Sequence, residues 1–379
     1  MKNLGIYIHI PFCKKKCEYC DFISFSDKYG QVQVYIEALC KDIKKHAVDA
    51  KEYSINTIYI GGGTPSHIDA NYIKQILAEI KNNYNVSEKC EITIEVNPGT
   101  INKEKLLVYK EIGINRISIG LQTTHTRLLN WIGRIHNYEE FSKTYNLARE
   151  IGFKNINVDL MLALPTQTIE ELEESAREII KLNPEHISIY SLILEEGTEL
   201  YKKVEAGELS LLDEELERKM YWKTKEMFEN AGYKHYEISN FSKPNLESKH
   251  NLNCWYQEEY LGFGIAAHSY LKNKRFSRTE NLEEYITNIK EENFEKNIFI
   301  EELQDREKKA KEYMLLGLRK IEGVSISAFE RKFEINPLFY FRFEISKLEE
   351  MNLLEVDLDN IKLTEKGLDL ANVAFEEFI

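Results

Sequence analysis

The chain opens on an apolar run rich in β-branched residues, Leu4-Gly-Ile-Tyr-Ile-His-Ile10, and runs of this kind return at regular intervals. Those at 55–60, 91–96, 116–121, 156–161 and 186–191 each predict a strand. Between them lie segments with apolar residues three and four apart. The first, over 27–50, places Val32, Tyr35, Ile36, Leu39 and Ile43 on one helical face. Further helices are predicted over 69–82, 102–112, 137–151 and 168–182. Gly113 and Gly152 suit helix ends, and Thr168-x-x-Glu171 is a capping-box pattern opening the last. Six strand–helix units predict an α/β fold, a parallel sheet with helical crossovers that is flat or curled into a barrel.

The strands read as nearly continuous apolar runs, as burial on both faces requires. Their polar residues fall at or near the C-terminal ends: Gly62, Gly63 and Thr64 after the second, Glu95 late in the third, Gln122 after the fourth. Asp159 lies in the later part of the fifth. In a β/α barrel that end carries the active site, so these groups are expected to share one cleft with the loop after the first strand.

Beyond residue 191 the regular alternation stops. An acidic helical stretch is expected over 199–231, ended by Gly232, then a strand at 233–238 and a loop at 242–248. The charged segment 272–310 is expected to connect units through helices. Helices over 310–321, 325–333 and 338–350, a hairpin over 353–364 turning at Asp359-Asn360, and a helix over 365–378 follow. Helices followed by a hairpin resemble a winged helix. The expected units are therefore a barrel over 1–240, a connecting segment over 241–310 and a C-terminal α+β unit over 311–379.

Composition narrows the class. A 43% hydrophobic and 11% aromatic content is that of a globular chain. The net charge of −13 argues against nonspecific nucleic-acid binding. Residues 301–379 hold 12 Lys+Arg against 18 Asp+Glu, so the C-terminal unit reads as a packing or protein-contact module. Lys2 leads straight into a strand-like run rather than a signal peptide, and no apolar run reaches the ~20 residues of a membrane span. A cytoplasmic location is expected, where clustered cysteines more often bind metal than pair. Cys40 and Cys90 fall inside periodic apolar segments and read as buried hydrophobes.

Cys13, Cys17 and Cys20 stand at C-x3-C-x2-C spacing after Pro11 stops the first strand. Closed zinc sites take four ligands, and so do most 4Fe–4S clusters, so three cysteines leave an open position. Zinc, with His9 or a distant fourth ligand, stays open on the cysteines alone. Gly61-Gly62-Gly63 lets backbone approach a ligand or forms a tight turn. Glu95 and Asp159 within apolar strands require partners. Arg134 could hold a carboxylate in bidentate fashion or form a surface ion pair.

With these residues in view, the chain resembles the radical SAM superfamily, and within it the oxygen-independent coproporphyrinogen III oxidase-like family. The resemblance rests on Tyr7-Ile-His-Ile-Pro-Phe-Cys13, Gly61-Gly-Gly-Thr-Pro65, Glu95-x-Asn97-Pro98, Ile119-Gly-Leu-Gln122 and Gly133-Arg134-x-His136. It rests also on Asn157-x-Asp159-Leu-Met-x-x-Leu-Pro165 and Gly262-x-Gly264-x-x-Ala267-His268-Ser269. It implies a partial (β/α)6 barrel, a 4Fe–4S cluster on Cys13, Cys17 and Cys20, and S-adenosylmethionine on the open iron. The matching positions imply that Tyr7, Tyr19, Gly62, Gly63, Thr64, Glu95, Gln122, Arg134 and Asp159 contact S-adenosylmethionine.

Within that family the chain resembles heme chaperones more than the decarboxylating oxidase. The oxidase carries a fourth Cys where Phe22 stands here, and a long N-terminal extension where only six residues precede Tyr7. His250-Asn-Leu-Asn-Cys254-Trp255 resembles the chaperones' His-Asn-x-x-Tyr-Trp motif, with Cys254 replacing Tyr. The resemblance implies heme as a ligand, His250 as its contact, hemoproteins such as respiratory enzymes as acceptors, and contact with a membrane. Trp255, Tyr256, Tyr260 and Phe263 could flank a flat porphyrin or be core aromatics. The alternative activities are oxidative decarboxylation of coproporphyrinogen III, radical methyl transfer and heme opening.

Overall fold

The computed structural model describes residues 1–379. Strand β1 (Lys2–Ile10) is followed by α1 (Val32–His46), β2 (Tyr53–Gly62), α2 (Ala70–Asn83), β3 (Val86–Val96), α3 (Lys103–Glu111) and β4 (Arg116–Gln122). Next come α4 (Thr126–Trp131), α5 (Tyr138–Ile151), β5 (Ile156–Leu162), α6 (Ile169–Leu182) and β6 (His186–Ser191). All six strands pair in parallel with their sequence neighbours, so β1 to β6 form the partial (β/α)6 barrel. Thr168 caps α6 with the reciprocal bonds of the expected capping box, and Asn137 does the same for α5.

The strands are not apolar on both faces. Ile6, Ile8, Ile10, Ile58, Ile60, Ile94, Ile117, Ile119, Val158 and Leu160 point outward into a core shared with Tyr35, Leu39, Ile73, Ile76, Leu106, Tyr145 and Ile179 of the helices. The alternate positions face the concave interior, because strand side chains alternate. Tyr7, Tyr59, Glu95, Ser118, Asp159 and Ser188 belong to that inner set, and matched registers hold them at similar heights. Such inward polar groups along most of each strand mark an interior built for a polar ligand, not for tight packing.

After β6 come α7 (Glu199–Glu205), α8 (Glu214–Asn230), β7 (Lys234–Glu237), β8 (Asn240–Ser242) and α9 (Lys249–Trp255). Then follow β9 (Tyr260–Phe263), β10 (His268–Leu271), β11 (Lys274–Arg278), α10 (Leu282–Lys290) and β12 (Ile298–Leu303). The helix expected over 199–231 is two, broken where Gly207 takes a φ of +72°. The strand expected at 233–238 is half of a hairpin. Residues 272–310 do not connect through helices alone: β9 pairs parallel to β1, and β10 to β12 extend the sheet antiparallel beyond it. The whole is one sheet of twelve strands, β12-β11-β10-β9-β1-β2-β3-β4-β5-β6-β8-β7. A buried ion pair ties the extension down: Arg278 Nε donates to Asp42 Oδ2 at 2.7 Å, and Tyr285 Oη donates to the same oxygen at 2.8 Å.

The C-terminal part comprises α11 (Arg306–Gly317), β13 (Val324–Ser325), α12 (Ile326–Phe333), α13 (Pro337–Tyr340), α14 (Arg342–Glu350), β14 (Leu354–Val356), β15 (Asn360–Leu363), α15 (Glu365–Asp369) and α16 (Ala371–Glu376). The last expected helix is split at Leu370. Its strands form a small sheet, β13-β15-β14, over a core of its own built on Met314, Phe329, Leu348 and Ile361. Backbone bonds from Ile238 N to Arg319 O and from Ile321 N to Tyr236 O join it to the β7–β8 edge.

Candidate functional site

The loop after β1 folds back on its own strand. Cys13 N donates to Phe25 O at 2.9 Å, and Phe25 N donates to Pro11 O at 2.7 Å. His9 fixes the return: its Nε2 lies 2.9 Å from Ile23 O and its Nδ1 lies 3.0 Å from Tyr7 Oη. Burial pushes this imidazole down to about 4, so it is neutral at ordinary pH. With both ring nitrogens engaged, His9 is a loop anchor, not a fourth metal ligand.

The Gly61–Thr64 segment runs beside this loop. Gly63 N donates to Ile10 O at 2.9 Å, and Thr64 N to Phe12 O at 3.0 Å. Gly62 takes a φ of +110°, and a Cβ there would stand 2.6 Å from the His9 ring. A Cβ on Gly63 would meet Cys13 Sγ at 2.9 Å. The glycines thus serve close approach between backbone, His9 and Cys13.

Cys13 is buried, while Cys17 and Cys20 are half-buried, and all three are free thiols. Burial sets the Cys13 pKa above normal against the opposing bond from Thr64; burial raises Cys20 to about 11. The charges of the neighbouring cysteines add to both shifts. No three His, Cys, Asp or Glu side chains in the chain stand in coordinating geometry. The donor set nonetheless fits an iron–sulfur cluster: three soft thiols on one short loop, beside glycine backbone and a guanidinium.

That guanidinium is Arg134, and it is no surface ion pair. Its Nη2 donates to Asn97 Oδ1 at 3.0 Å and Gly120 O at 2.7 Å, and its Nη1 faces Cys17 Sγ at 3.7 Å. Its Nε is buried without a partner. Asn97 in turn donates to Thr64 Oγ1 at 3.0 Å, and Thr64 donates to Cys13 Sγ at 3.5 Å. One network therefore runs from β4 through Arg134 and Asn97 to the cysteine loop.

Glu95 accepts from Tyr59 Oη at 2.9 Å and Gly62 N at 3.2 Å. Burial outweighs these bonds and raises its carboxyl to about 7. Asp159 accepts from Asn157 Nδ2 at 2.7 Å, and burial raises it as well. Gln122, at the end of β4, has a φ of +70° and a buried Oε1 without a partner. Tyr19 packs against the apolar cluster of Leu128, Ile132, Met161 and Leu192; burial raises its phenol and the Arg134 charge opposes the rise. Tyr7 lies on the inner face, its ring 6.3 Å from that of Tyr59. The structure thus gathers Tyr7, Tyr19, Gly62, Gly63, Thr64, Glu95, Gln122, Arg134 and Asp159 around the cysteine loop at the C-terminal ends of the strands.

His250 is not brought into that group. It sits on α9 against Gly5 and Thr57, in the lower half of the barrel, with Nδ1 at 3.0 Å from Thr57 Oγ1. Its backbone N–H donates to Glu91 Oε1 at 3.2 Å. The Tyr59 ring, 5.2 Å away, and Glu95 stand between it and the cysteines. Burial depresses this imidazole to about 4, which leaves it neutral and able to ligate. Trp255 and Tyr256 each have a cation over the ring: Arg319 lies 4.6 Å from the Trp255 ring and Lys320 lies 4.0 Å from that of Tyr256. Phe263 is buried in the barrel core beside Arg278.

Sequence reasoning missed the roles of His9, Asn97 and Tyr59. Inward alternation was the signal for Tyr59; the packing of His9 against Gly62 left none, since it depends on register.

The family model of the radical SAM superfamily matches residues 7–179, and that of the HemN C-terminal domain matches 304–370. The heme chaperone HemW of Bacillus subtilis is 37% identical, covering 98% of both chains. That of Lactococcus lactis is 36% identical, covering 100% of this chain and 98% of the relative. Among solved structures, the coproporphyrinogen III oxidase HemN of Escherichia coli superposes with a TM-score of 0.86 at 23% identity, covering 100% of this chain and 90% of the other. That likeness shows the shared fold.

Proposed function

This chain belongs to the heme chaperone HemW family of the radical SAM proteins, and on that footing we propose that it binds heme and delivers it to acceptor hemoproteins. The observation that carries the reading is full-length similarity to named heme chaperones, joined to a barrel whose inner face is polar from floor to mouth. We assign Cys13, Cys17 and Cys20 to a 4Fe–4S cluster and Tyr7, Tyr19, Gly62, Gly63, Thr64, Glu95, Gln122, Arg134 and Asp159 to S-adenosylmethionine. When bound, the cluster supplies one-electron chemistry at an iron that the protein leaves open. Arg134 and Asn97 orient the loop, and Glu95 offers an acceptor that is half-protonated near neutral pH.

His250 is the proposed heme contact, through the Nε2 that Thr57 leaves free. Phe22, 60% exposed on the cysteine loop, stands where the oxidase has its fourth Cys, and so supports delivery over decarboxylation. Acceptors at a membrane are part of the proposal. Phe339 and Phe343, 74% and 71% exposed, project from α13 and α14 beside Arg342, a composition that favours a lipid headgroup region. No helix is long and apolar enough to cross a membrane.

The test is an anaerobic heme titration of the reconstituted protein and of His250→Ala, followed by heme absorbance. Stoichiometric binding that the variant loses supports the reading. Equal binding by both moves the contact elsewhere, and binding by neither refutes a heme chaperone.

A further inference from the structure

Two arginines lie below a tenth exposure, Arg116 and Arg278, each at 2%. Arg278 is paired to Asp42. Arg116, the first residue of β4, forms no ion pair and its side chain makes no hydrogen bond; its Nε is fully buried without a partner. A buried guanidinium left this way is destabilising unless an anion joins it. The interior carboxylates do not serve. Glu91 accepts from the backbone of Lys249 and His250, and Glu95 from Tyr59 and Gly62. Asp159, whose carboxyl the Arg116 charge pulls down against burial, accepts from Asn157 and forms no ion pair with Arg116.

The residue aligned with Arg116 on the neighbouring strand is Thr93. In parallel strands aligned residues share a face, so both point into the barrel. Thr93 is 0% exposed, and its Oγ1 also lacks a partner. Two adjacent orphan groups, one a fork of cationic donors and one a hydroxyl, make a carboxylate cradle. Burial first, and the Arg116 charge second, hold His186 and His250 below the usual histidine range, which sets Arg116 beside the proposed heme contact.

We infer that Arg116 and Thr93 anchor a carboxylate of the bound ligand on the inner face of the barrel, at the level of Tyr59, and that this carboxylate is a porphyrin propionate. The inference rests on the heme reading above.

The experiment titrates heme and heme dimethyl ester, whose propionates carry no charge, into the reconstituted full chain, Arg116→Gln and Thr93→Val. The wild type is expected to prefer free heme by about tenfold to a hundredfold, the range for a charged hydrogen bond. Arg116→Gln loses that preference and binds both porphyrins as the wild type binds the ester; Thr93→Val loses part of it. S-adenosylmethionine affinity, measured in parallel, is unchanged. Equal wild-type affinity for heme and ester overturns the inference and leaves heme binding standing. Loss of S-adenosylmethionine affinity with the heme preference intact reassigns Arg116 to the cofactor's carboxylate and also overturns it. Binding of neither porphyrin by the wild type removes the heme reading and the inference together. If Arg116→Gln does not fold, the wild-type preference and Thr93→Val decide.

Discussion

Gly62→Ala is the sharpest perturbation of the cysteine loop available in a single methyl group. At a φ of +110° the new side chain sits in left-handed backbone, and its Cβ would stand 2.6 Å from the His9 ring. The backbone term is about 1–2 kcal/mol. The ring must move, and it holds two hydrogen bonds, to Ile23 O at 2.9 Å and to Tyr7 Oη at 3.0 Å. At about 0.5–1.5 kcal/mol each, their loss brings the total to roughly 2–5 kcal/mol. Because Ile23 O ties the loop to β1, iron loading should fall with stability. The assay is anaerobic urea denaturation with iron and sulfide counted per chain after reconstitution. Gly30→Ala is the control, since nothing lies within 4 Å of its Cβ. In a His9→Ala background the Gly62→Ala cost should drop to the backbone term of about 1–2 kcal/mol. A Gly62→Ala protein within about 1 kcal/mol of wild type and fully loaded with iron would refute the reasoning, because the clash and the strain leave no cheaper exit.

Other outcomes follow from the same coordinates. Cys13→Ser, Cys17→Ser and Cys20→Ser should each abolish the iron–sulfur absorbance after reconstitution, while Cys40→Ser and Cys90→Ser, both buried in the barrel core, keep it; iron analysis decides. Asp42→Asn leaves Arg278 buried beside a neutral amide and should destabilise the barrel by about 3–5 kcal/mol in denaturant titration. Glu95 is protonated up to about 7 when folded but ionises near the ordinary carboxyl value when unfolded, so its contribution makes stability fall as pH rises between those two values. Glu95→Gln should therefore gain stability relative to wild type across that window and show no further relative change above it; parallel denaturation curves from acid to neutral pH measure this.

Most of the architecture was legible because it is periodic. Strand runs and helical spacing located all six barrel units to within a few residues, and the cysteine spacing singled out the loop. Elements set by pairing at a distance were not legible. Strands β11 and β12 read as charged connector because they are short, half-exposed and stabilised by pairing with their neighbours. The break in the stretch after β6 hid behind continuous helical spacing, and only the positive φ at Gly207 reveals it.

By itself, the order of residues determined the sheet's parallel character, its helical crossovers, the cysteine loop and the ring of polar residues at the strand ends. These follow from alternation and spacing, which are local. Tertiary structure alone decided how the ring is wired: that His9 anchors a loop, that Arg134 reaches Asn97 and Cys17, that His250 lies below Tyr59 rather than beside the cysteines, and that Arg116 and Thr93 are left unpartnered. The places of His9, Arg116 and Thr93 depend on the register between strands distant in sequence, where a shift of one residue would turn them to the opposite face, and those of Arg134 and His250 on how a loop and a helix pack against the barrel.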